Sequence, residues 1–232
     1  MDNIIKRVEA QIREFSPNKH ILQAIDEWNI WLPPSEKSIS MHHVTYTMRD
    51  ALYVASVLAV FYRNCNTAGM GNLAQMVNVL PLIETNQTAA IATAIFHPFV
   101  LFTQMGNTVL KTEVDSESYD SLELDASMQA HSAVPYLDAL ATRNDENTHV
   151  TILLINRYPF EKLDVSIHFA DDESYSPVSS LELSSKLPGS YNSYQNPSAV
   201  TIRDGKLPTF KDGVWKTRLK PASVRMVEFK LK

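Results

Sequence analysis

The sequence predicts a chain of two unlike parts, an α/β part over residues 1–107 and an all-β part over residues 108–232. In the first part, helix-length apolar stretches alternate with short strand-like runs, which is the pattern of βα units in a parallel sheet. In the second part, short runs rich in Val, Ile, Thr and aromatic residues are separated by clusters of Asn, Asp, Gly and Pro. That texture is typical of an antiparallel sandwich or barrel.

The α/β part begins with an amphipathic helix and a short strand. Over residues 2–15, apolar side chains recur at helical spacing with charges between them, and Ser16-Pro17-Asn18 ends the pattern. The run ILQAIDEW at residues 21–28 is brief and is flanked by turn residues, so it predicts a mostly buried strand. We expect a polar loop over residues 33–46.

Three further elements complete the α/β part. Residues 48–63 are apolar on nearly every face, which predicts a helix packed on two sides. Hydrophobic periodicity does not decide whether the next strand covers GNLAQMV or MVNVLPLI. Pro81 argues against a central strand that continues so far, so we favour a strand around 69–76 followed by a long loop. Residues 88–105 predict a buried helix, in which Pro98 either makes a kink or begins the second half. Two strands are too few for a finished α/β domain, so we expect the sequence to begin inside a larger one.

The all-β part contains nine segments that predict strands. Several of them alternate apolar and polar residues with a period of two, as strands with one buried face do. The segments are TVLKTEV, SLELDASMQA, VPYLDALATRN, HVTILLINRY, DVSIHFA, VSSLELS, AVTIRD, GVWKTRLK and VRMVEFKLK.

Composition and charge exclude several classes of partner. The net charge is −5 and Lys and Arg are scattered, so we expect no nucleic-acid partner. Cys65 is the only cysteine, which excludes an intramolecular disulfide and favours a reducing compartment; we expect it to be a buried, inert thiol. No run has the length of a spanning helix, and the N-terminus has no signal-peptide core. We therefore expect a cytoplasmic protein with no membrane partner, metal or cofactor.

The stretch AIDEWNIWLPP at residues 24–34 is the strongest candidate site. It places Asp26 and Glu27 at the end of the predicted strand, where α/β barrels keep their catalytic groups. Trp28 and Trp31 follow, and flat aromatic faces pack on sugar rings while carboxylates bind their hydroxyls. The combination predicts glycoside chemistry, in which one carboxylate attacks the anomeric carbon and a second protonates the leaving oxygen. The alternative is a solvated acidic pair beside a loop.

Three motifs carry a resemblance to a known family. DEWNIW resembles the nucleophile motif of the glycoside hydrolase family 51 α-L-arabinofuranosidases, in which a strand ends in Asp-Glu-Trp-Asn-x-Trp. GMGNLAQMVNVLPLI is similar to that family's Met-Ala-Asn-Leu-Ala-Gln-x-Val-Asn-Val segment. GSYNSYQNP at residues 189–197 resembles a Tyr-Asn-x-aromatic-x-Asn-Pro signature of its C-terminal domain. The three motifs are widely separated and occur in the family's order.

The resemblance implies a (β/α)8 barrel followed by a jelly-roll-like antiparallel β-sandwich. This chain would be the C-terminal part, with barrel strands seven and eight inside residues 1–107 and the sandwich over residues 108–232. Enzymes of the family remove terminal α-L-arabinofuranosyl groups with retention of configuration, and they commonly form hexamers. An arabinofuranosyl oligosaccharide substrate and a homo-oligomer are therefore expected.

The resemblance also assigns roles to the site residues. Glu27 would be the catalytic nucleophile. Trp31 would form a wall of the sugar subsite, and Gln75 would hydrogen-bond the nucleophile or the sugar. Asn29 would contact the substrate and brace the strand end. Two neighbours would support that end of the strand, namely Asp26 and Trp28.

One part of the family's machinery has no match in this sequence. The family's acid/base Glu follows an Asn near the end of the fourth barrel strand, and no Asn-Glu pair precedes Glu27. A complete barrel takes about 250 residues, far more than the α/β part provides. We therefore expect the chain to carry the nucleophile without the acid/base and to hydrolyse no arabinofuranoside alone. The alternatives are a non-catalytic carbohydrate-binding or assembly module and one half of a split glycosidase.

The second part offers one candidate surface for a binding module. Four aromatic residues could form a carbohydrate-binding face, although core and interface packing use the same residue types. They are Tyr191, Tyr194, Phe210 and Trp215. For the loop that carries the two tyrosines, we favour packing against the barrel or a neighbouring subunit.

Overall fold

The computed structural model divides the chain into two compact units. The N-terminal unit comprises residues 1–102 and 191–200, and the C-terminal unit comprises residues 103–190 and 201–232. The structure describes residues 1–32, 40, 42–123, 130–170 and 174–232. Most of the expected polar loop and part of the segment SLELDASMQA lie outside the described residues.

The N-terminal unit combines three helices with two pairs of strands. Its helices are α1 (Asp2–Phe15), α2 (Met48–Arg63) and α3 (Phe96–Phe102). Its strands are β1 (Gln23–Trp28), β2 (Ala68–Leu73), β3 (Ile83–Thr85) and β4 (Ala90–Ala92). β1 and β2 pair in parallel with α2 between them in sequence, which confirms the predicted βαβ unit. β3 and β4 form an antiparallel hairpin.

The helices α1 and α2 have the bounds that the sequence predicts. α2 begins after Thr47, whose backbone N–H donates to Asp50 Oδ2 at 2.7 Å, so a Thr-x-x-Asp cap fixes the start of the helix. Nine of its residues are buried, as expected of a helix packed on two sides. Cys65 was expected to be buried, but it lies exposed in the turn that follows the helix. In the described part of the chain, no helix combines the length and the apolar character needed to cross a membrane.

Two further expectations for this unit are wrong. Strand β1 was expected to be mostly buried, yet Trp28 is its only buried residue, because β2 is its only partner among the described strands. A helix was expected over residues 88–105, yet the β3–β4 hairpin occupies the first part of that range. Asn86 makes the hairpin turn, since its Oδ1 accepts hydrogen bonds from Thr88 N at 2.8 Å and Ala89 N at 2.9 Å. Only the short α3 remains helical there, with Pro98 in its first turn.

The C-terminal unit is an antiparallel β-sandwich. A six-stranded sheet has the order β12-β11-β15-β9-β8-β5, and a three-stranded sheet has the order β10-β14-β13. β6 and β7 form a separate pair. The strands are β5 (Thr108–Leu110), β6 (Ser118–Tyr119), β7 (Val134–Pro135), β8 (Leu137–Arg143), β9 (His149–Asn156), β10 (Leu163–Ile167), β11 (Tyr175–Ser184), β12 (Thr201–Asp204), β13 (Thr209–Lys211), β14 (Val214–Leu219) and β15 (Ser223–Leu231).

The two sheets enclose one apolar core. The six-stranded sheet contributes residues such as Leu154 and Phe229, and the three-stranded sheet contributes Val165, Ile167 and Leu219. In β10 the buried and exposed residues alternate, as predicted for a strand with one buried face. Eight of the nine predicted segments contain a strand in the described residues, and the ninth, SLELDASMQA, lies mostly outside them. The short strands β6 and β13 were not predicted.

A buried ion pair links two neighbouring strands of the larger sheet. Glu182 of β11 is 3% exposed and accepts hydrogen bonds from Arg225 of β15, which is 4% exposed, and from Lys220. Burial by itself raises the pKa of Glu182. The hydrogen bonds from Lys220 and Arg225 and the charges of both outweigh burial and lower that pKa below its usual 4.5.

We expect Glu182→Gln to destabilise the sandwich by about 3 kcal/mol, because it leaves the buried guanidinium without its counter-charge. Since folding lowers the pKa of Glu182, its stabilisation is present above pH 4.5 and is lost as the pH falls through the lowered value. Calorimetric unfolding at neutral and at acidic pH measures both effects.

The matched control is Asp164→Asn, which removes an exposed carboxylate that pairs with Arg218 across two strands of the smaller sheet. Its cost should stay below about 1 kcal/mol because solvent screens the pair. Equal costs for the two variants would contradict the assignment.

Candidate active site

The Asp26-Glu27 pair lies at an irregularity of the parallel pair β1–β2. Between the pairs Ile25–Gly71 and Trp28–Leu73, β1 advances by three residues while β2 advances by two. One extra residue of β1 therefore interrupts the register, as in a β-bulge. Both carboxylates are exposed, although consecutive residues of a regular strand would point to opposite faces. Both faces of β1 are open because β2 is its one partner among the described strands, and the irregularity lies at the residues that carry the two carboxylates.

The two tryptophans of the motif have opposite environments. Trp28 is 4% exposed and packs between two rings, edge-on to Phe61 at a centroid distance of 5.4 Å and stacked on Phe99 at 6.1 Å. Trp31 is 56% exposed and meets the His42 ring edge-on at 5.3 Å. Trp28 therefore anchors the strand end in the unit, and Trp31 is the tryptophan available to a ligand.

The side chain of Asn29 joins three segments of the N-terminal unit. Its Nδ2 donates to the carbonyl oxygens of Ala74 and Leu80, each at 3.1 Å. Its Oδ1 accepts a hydrogen bond from Ile30 N at 2.8 Å and lies 3.1 Å from the donating hydroxyl of Tyr46. These contacts use both protons of the amide, and its oxygen accepts from Ile30 N and shares the single phenol proton of Tyr46 with the Ile30 carbonyl. The amide is thus engaged by the protein, which fits a bracing role and leaves it no free group for a sugar.

Tyr46 is the largest fully buried side chain at this end of the unit. It is 1% exposed, and its hydroxyl also lies 2.9 Å from the Ile30 carbonyl oxygen that accepts from it. Burial, with a smaller contribution from the charge of Asp50, raises the pKa of the phenol well above its usual value. The sequence gives no signal for these hydrogen bonds, because an aromatic residue before a helix is equally suited to packing.

Gln75 lies just beyond β2 in a conformation that residues other than Gly rarely adopt. The strand ends at Leu73, three residues before the predicted end, and Gln75 has φ of 62°. Its neighbours are both held: Ala74 N donates to the Trp28 carbonyl at 2.9 Å, and the Met76 carbonyl accepts from two backbone N–H groups of the next segment. The exposed Gln75 side chain therefore starts from a fixed, strained backbone.

Residues 191–197 of the motif GSYNSYQNP belong to the N-terminal unit, although they lie between sandwich strands in the sequence. Asn192 is buried and donates to the Ala92 carbonyl at 3.0 Å and to the Val200 carbonyl at 2.9 Å, and its Nδ2 lies 3.4 Å from His97 Nε2. The backbone of Tyr191 forms an antiparallel bridge with Thr47. The motif is thus a structural latch of this unit.

The four aromatic residues proposed as one binding face belong to different units. Tyr191 and Tyr194 are in the N-terminal unit, whereas Phe210 and Trp215 are in the C-terminal unit. Trp215 packs against Phe229 of the sandwich core with a centroid distance of 5.7 Å. Its ring therefore has a packing role.

Glu84 is a titratable group near the site that the sequence did not single out. It lies on β3, whose backbone is tied to Met76 and Val77 beside Gln75. Partial burial raises the pKa of Glu84, and the nearby charge of His43 opposes that rise. In the described ranges, no three His, Cys, Asp or Glu side chains are grouped closely enough to hold a metal ion.

Comparison with known proteins gives one consistent family. Residues 26–223 match the family model described as the alpha-L-arabinofuranosidase C-terminal domain. The chain is 30% identical over 190 residues to an intracellular exo-alpha-(1->5)-L-arabinofuranosidase of Halalkalibacterium halodurans, covering 75% of this chain and 37% of that protein. It is 25% identical over 231 residues to an intracellular exo-alpha-L-arabinofuranosidase of Bacteroides ovatus, covering 98% of this chain and 43% of that protein.

Solved structures give the same fold. The alpha-L-arabinofuranosidase of Thermotoga maritima, solved as an arabinose complex, superposes with a TM-score of 0.83 at 24% identity, covering 99% of this chain and 46% of that one. A GH51 arabinofuranosidase from Xanthomonas axonopodis superposes with a TM-score of 0.86 at 23% identity, covering 99% of this chain and 45% of that one. These superpositions confirm the predicted fold class. The chain spans less than half the length of these relatives and corresponds to their C-terminal part.

The contrast between the tryptophans leads to a stability prediction. Trp28→Ala should destabilise the N-terminal unit by about 3 to 4 kcal/mol, because it opens a cavity between two aromatic rings. Trp31→Ala should change stability by less than about 0.5 kcal/mol, since its ring is mostly exposed. Urea unfolding followed by far-ultraviolet circular dichroism compares the two variants, and similar costs would show that Trp28 is not the anchor.

Proposed function

The chain belongs to the alpha-L-arabinofuranosidase C-terminal domain family, and on that premise we propose that it supplies the nucleophile of a retaining α-L-arabinofuranosidase. The substrate class is arabinose-containing oligosaccharides and polysaccharides with terminal α-L-arabinofuranosyl groups. The observation that carries the proposal is the Asp26-Glu27 pair, presented to solvent at the carboxyl end of β1, with the exposed Trp31 four residues after Glu27 in the sequence. A strand end of this kind is where α/β barrels hold their catalytic groups.

The reaction begins when a carboxylate oxygen of Glu27 attacks the anomeric carbon of the arabinofuranosyl group. The bond to the leaving oxygen breaks, and that oxygen takes a proton from a general acid. Glu27 is then esterified to the sugar, and water later releases arabinose and regenerates the carboxylate. Attack requires the ionised carboxylate.

The neighbouring side chains divide into ligand contacts and braces. Trp31 offers an exposed ring for the sugar, and Gln75 offers an exposed amide beyond the end of β2. Asn29 and the buried Trp28 hold the strand ends together. Asp26 is assigned to supporting the conformation of the strand end around Glu27.

The acid/base carboxylate comes from outside this chain in our proposal. In retaining enzymes it lies about 5 to 5.5 Å from the nucleophile. Only two parallel strands are present in the described part of the chain, so further strands of a barrel are needed to bring it there. A separate polypeptide could supply them, as in a split glycosidase. Assembly into a homo-oligomer and a cytoplasmic location are further proposals, supported by family membership and by the single cysteine.

An activated substrate tests Glu27 without an acid. The dinitrophenolate of 2,4-dinitrophenyl α-L-arabinofuranoside leaves without being protonated, so the first step needs only the nucleophile. We expect intact-mass spectrometry to show one arabinosyl group added to the chain and peptide mapping to place it on Glu27. Glu27→Gln should form no adduct, and the neighbouring Asp26→Asn should still form one. A wild-type chain that stays unlabelled, or a label on another residue, overturns the assignment.

Two further substrates test the absence of the acid/base carboxylate. The leaving group of an arabino-oligosaccharide must be protonated by the acid, and repeated turnover of the p-nitrophenyl glycoside needs the base to activate water against the arabinosyl intermediate. The chain alone should release no arabinose from arabino-oligosaccharides and should give no turnover of p-nitrophenyl α-L-arabinofuranoside, measured by chromatography and by absorbance. Glu84→Gln serves as a control, because Glu84 is the partly buried carboxyl group near the site. Turnover by the wild-type chain that disappears in both Glu27→Gln and Glu84→Gln would mean that this chain carries its own acid.

A further inference from the structure

We propose that Tyr46 is a positioning residue for the transfer of the arabinosyl group to Glu27. The inference rests on the proposed function and adds a residue that acts through others. Tyr46 contacts neither the carboxylate nor the sugar in this proposal. Its hydroxyl fixes the side chain of Asn29, and Asn29 in turn fixes the ends of β1 and β2.

The hydroxyl of Tyr46 is buried and therefore needs a hydrogen-bond partner within the protein. The side chain is 1% exposed, and a buried hydroxyl without a partner is costly. Here it lies 2.9 Å from the Ile30 carbonyl oxygen and 3.1 Å from Asn29 Oδ1. A phenylalanine would fill the same space without a group to satisfy. The phenol is therefore explained by the polar contacts it makes, and both of them are to the segment that follows Glu27.

Asn29 transmits this constraint across the two strands. It lies two residues after Glu27, and its Nδ2 holds the carbonyl of Ala74, which immediately precedes Gln75. A second bond joins the same two strand ends in the opposite direction, because Ala74 N donates to the Trp28 carbonyl at 2.9 Å. Gln75 has a left-handed backbone that its surroundings must maintain. One hydrogen-bonded node thus fixes the proposed nucleophile on one strand and the proposed sugar-binding amide after the other.

Small displacements of catalytic groups from their productive positions lower the reaction rate strongly. Groups held loosely around a reacting centre lose rate because the productive geometry is populated less often. Removing the hydroxyl of Tyr46 leaves Ile30 N as the donor to the Asn29 oxygen, so the amide is held less tightly against the two carbonyl groups. The expected effect is slower transfer to Glu27 with the nucleophile itself intact.

The test is the rate at which the full chain forms its arabinosyl adduct with saturating 2,4-dinitrophenyl α-L-arabinofuranoside. Tyr46→Phe should lower that limiting rate about tenfold. The shape of its pH profile should not change, because the phenol moves no proton in the reaction. A catalytic acid or base would alter the profile, so this readout separates positioning from proton transfer.

Tyr62→Phe is the matched control. The Tyr62 hydroxyl donates to the Phe102 carbonyl at 3.2 Å in the same unit, and Asn29 is not among its partners. The control removes one hydroxyl from a half-buried phenol, so it should lower the melting temperature and leave the labelling rate unchanged. Equal losses of rate in the two variants would mean that both act through stability, and the proposal would be wrong.

Each remaining outcome of the experiment also supports or overturns the positioning role of Tyr46. An unchanged rate in a folded Tyr46→Phe variant would make Tyr46 a packing residue. If Tyr46→Phe does not fold, Asn29→Ser removes the amide that bridges the strands and should slow labelling by a similar factor; an unchanged rate there overturns the proposal. A wild-type chain that forms no adduct overturns the assignment of Glu27, and the positioning role falls with it. A labelled wild type with fully active variants overturns the positioning role alone.

Discussion

The hydrogen bonds of the Asn29 amide are the interaction on which the arrangement of the candidate site depends. A parallel pair of only two strands has few ladder bonds of its own, and its register is already interrupted at the Asp26-Glu27 pair. The backbone at that point is therefore not fixed by the sheet. Asn29 replaces the missing ladder by joining the end of β1 to the carbonyl groups of Ala74 and Leu80. Because that amide is itself held by protein donors and acceptors, its geometry follows from the protein and not from solvent.

Much of the fold could be predicted because its signals are local. The amphipathic spacing over residues 2–15 and the continuous apolar run over 48–63 each determine one helix, and both have the predicted bounds. Most sandwich strands were found for the same reason. The failure over residues 88–105 has a local cause as well. The Asn86 side chain closes a hairpin turn, and this turn chemistry prevails over an apolar pattern that suits a helix or a strand equally well.

For the candidate site, the sequence offers residue types and not geometry. The DEWNIW motif locates the carboxylates and the tryptophans, but the sequence does not distinguish the buried Trp28 from the exposed Trp31. The bulge and the left-handed backbone at Gln75 arise from pairing between segments more than forty residues apart. The role of Tyr46 is also non-local in this sense, since it depends on which buried acceptor lies within reach of its hydroxyl. Such properties follow only when the partners are known.

The N-terminal unit is not a continuous piece of the chain, and this limits how the two units can be separated. Residues 191–200 lie between sandwich strands in the sequence but belong to the N-terminal unit. They are held there by hydrogen bonds from the buried amide of Asn192. The backbone bridge from Tyr191 reaches Thr47, the residue that begins helix α2 and directly follows Tyr46. A cut at residue 107 would therefore remove a latch from the α/β part as well as the sandwich. The strand ends that present Glu27 depend on Tyr46, and the segment after Tyr46 is held in part by a loop that the sandwich sequence supplies.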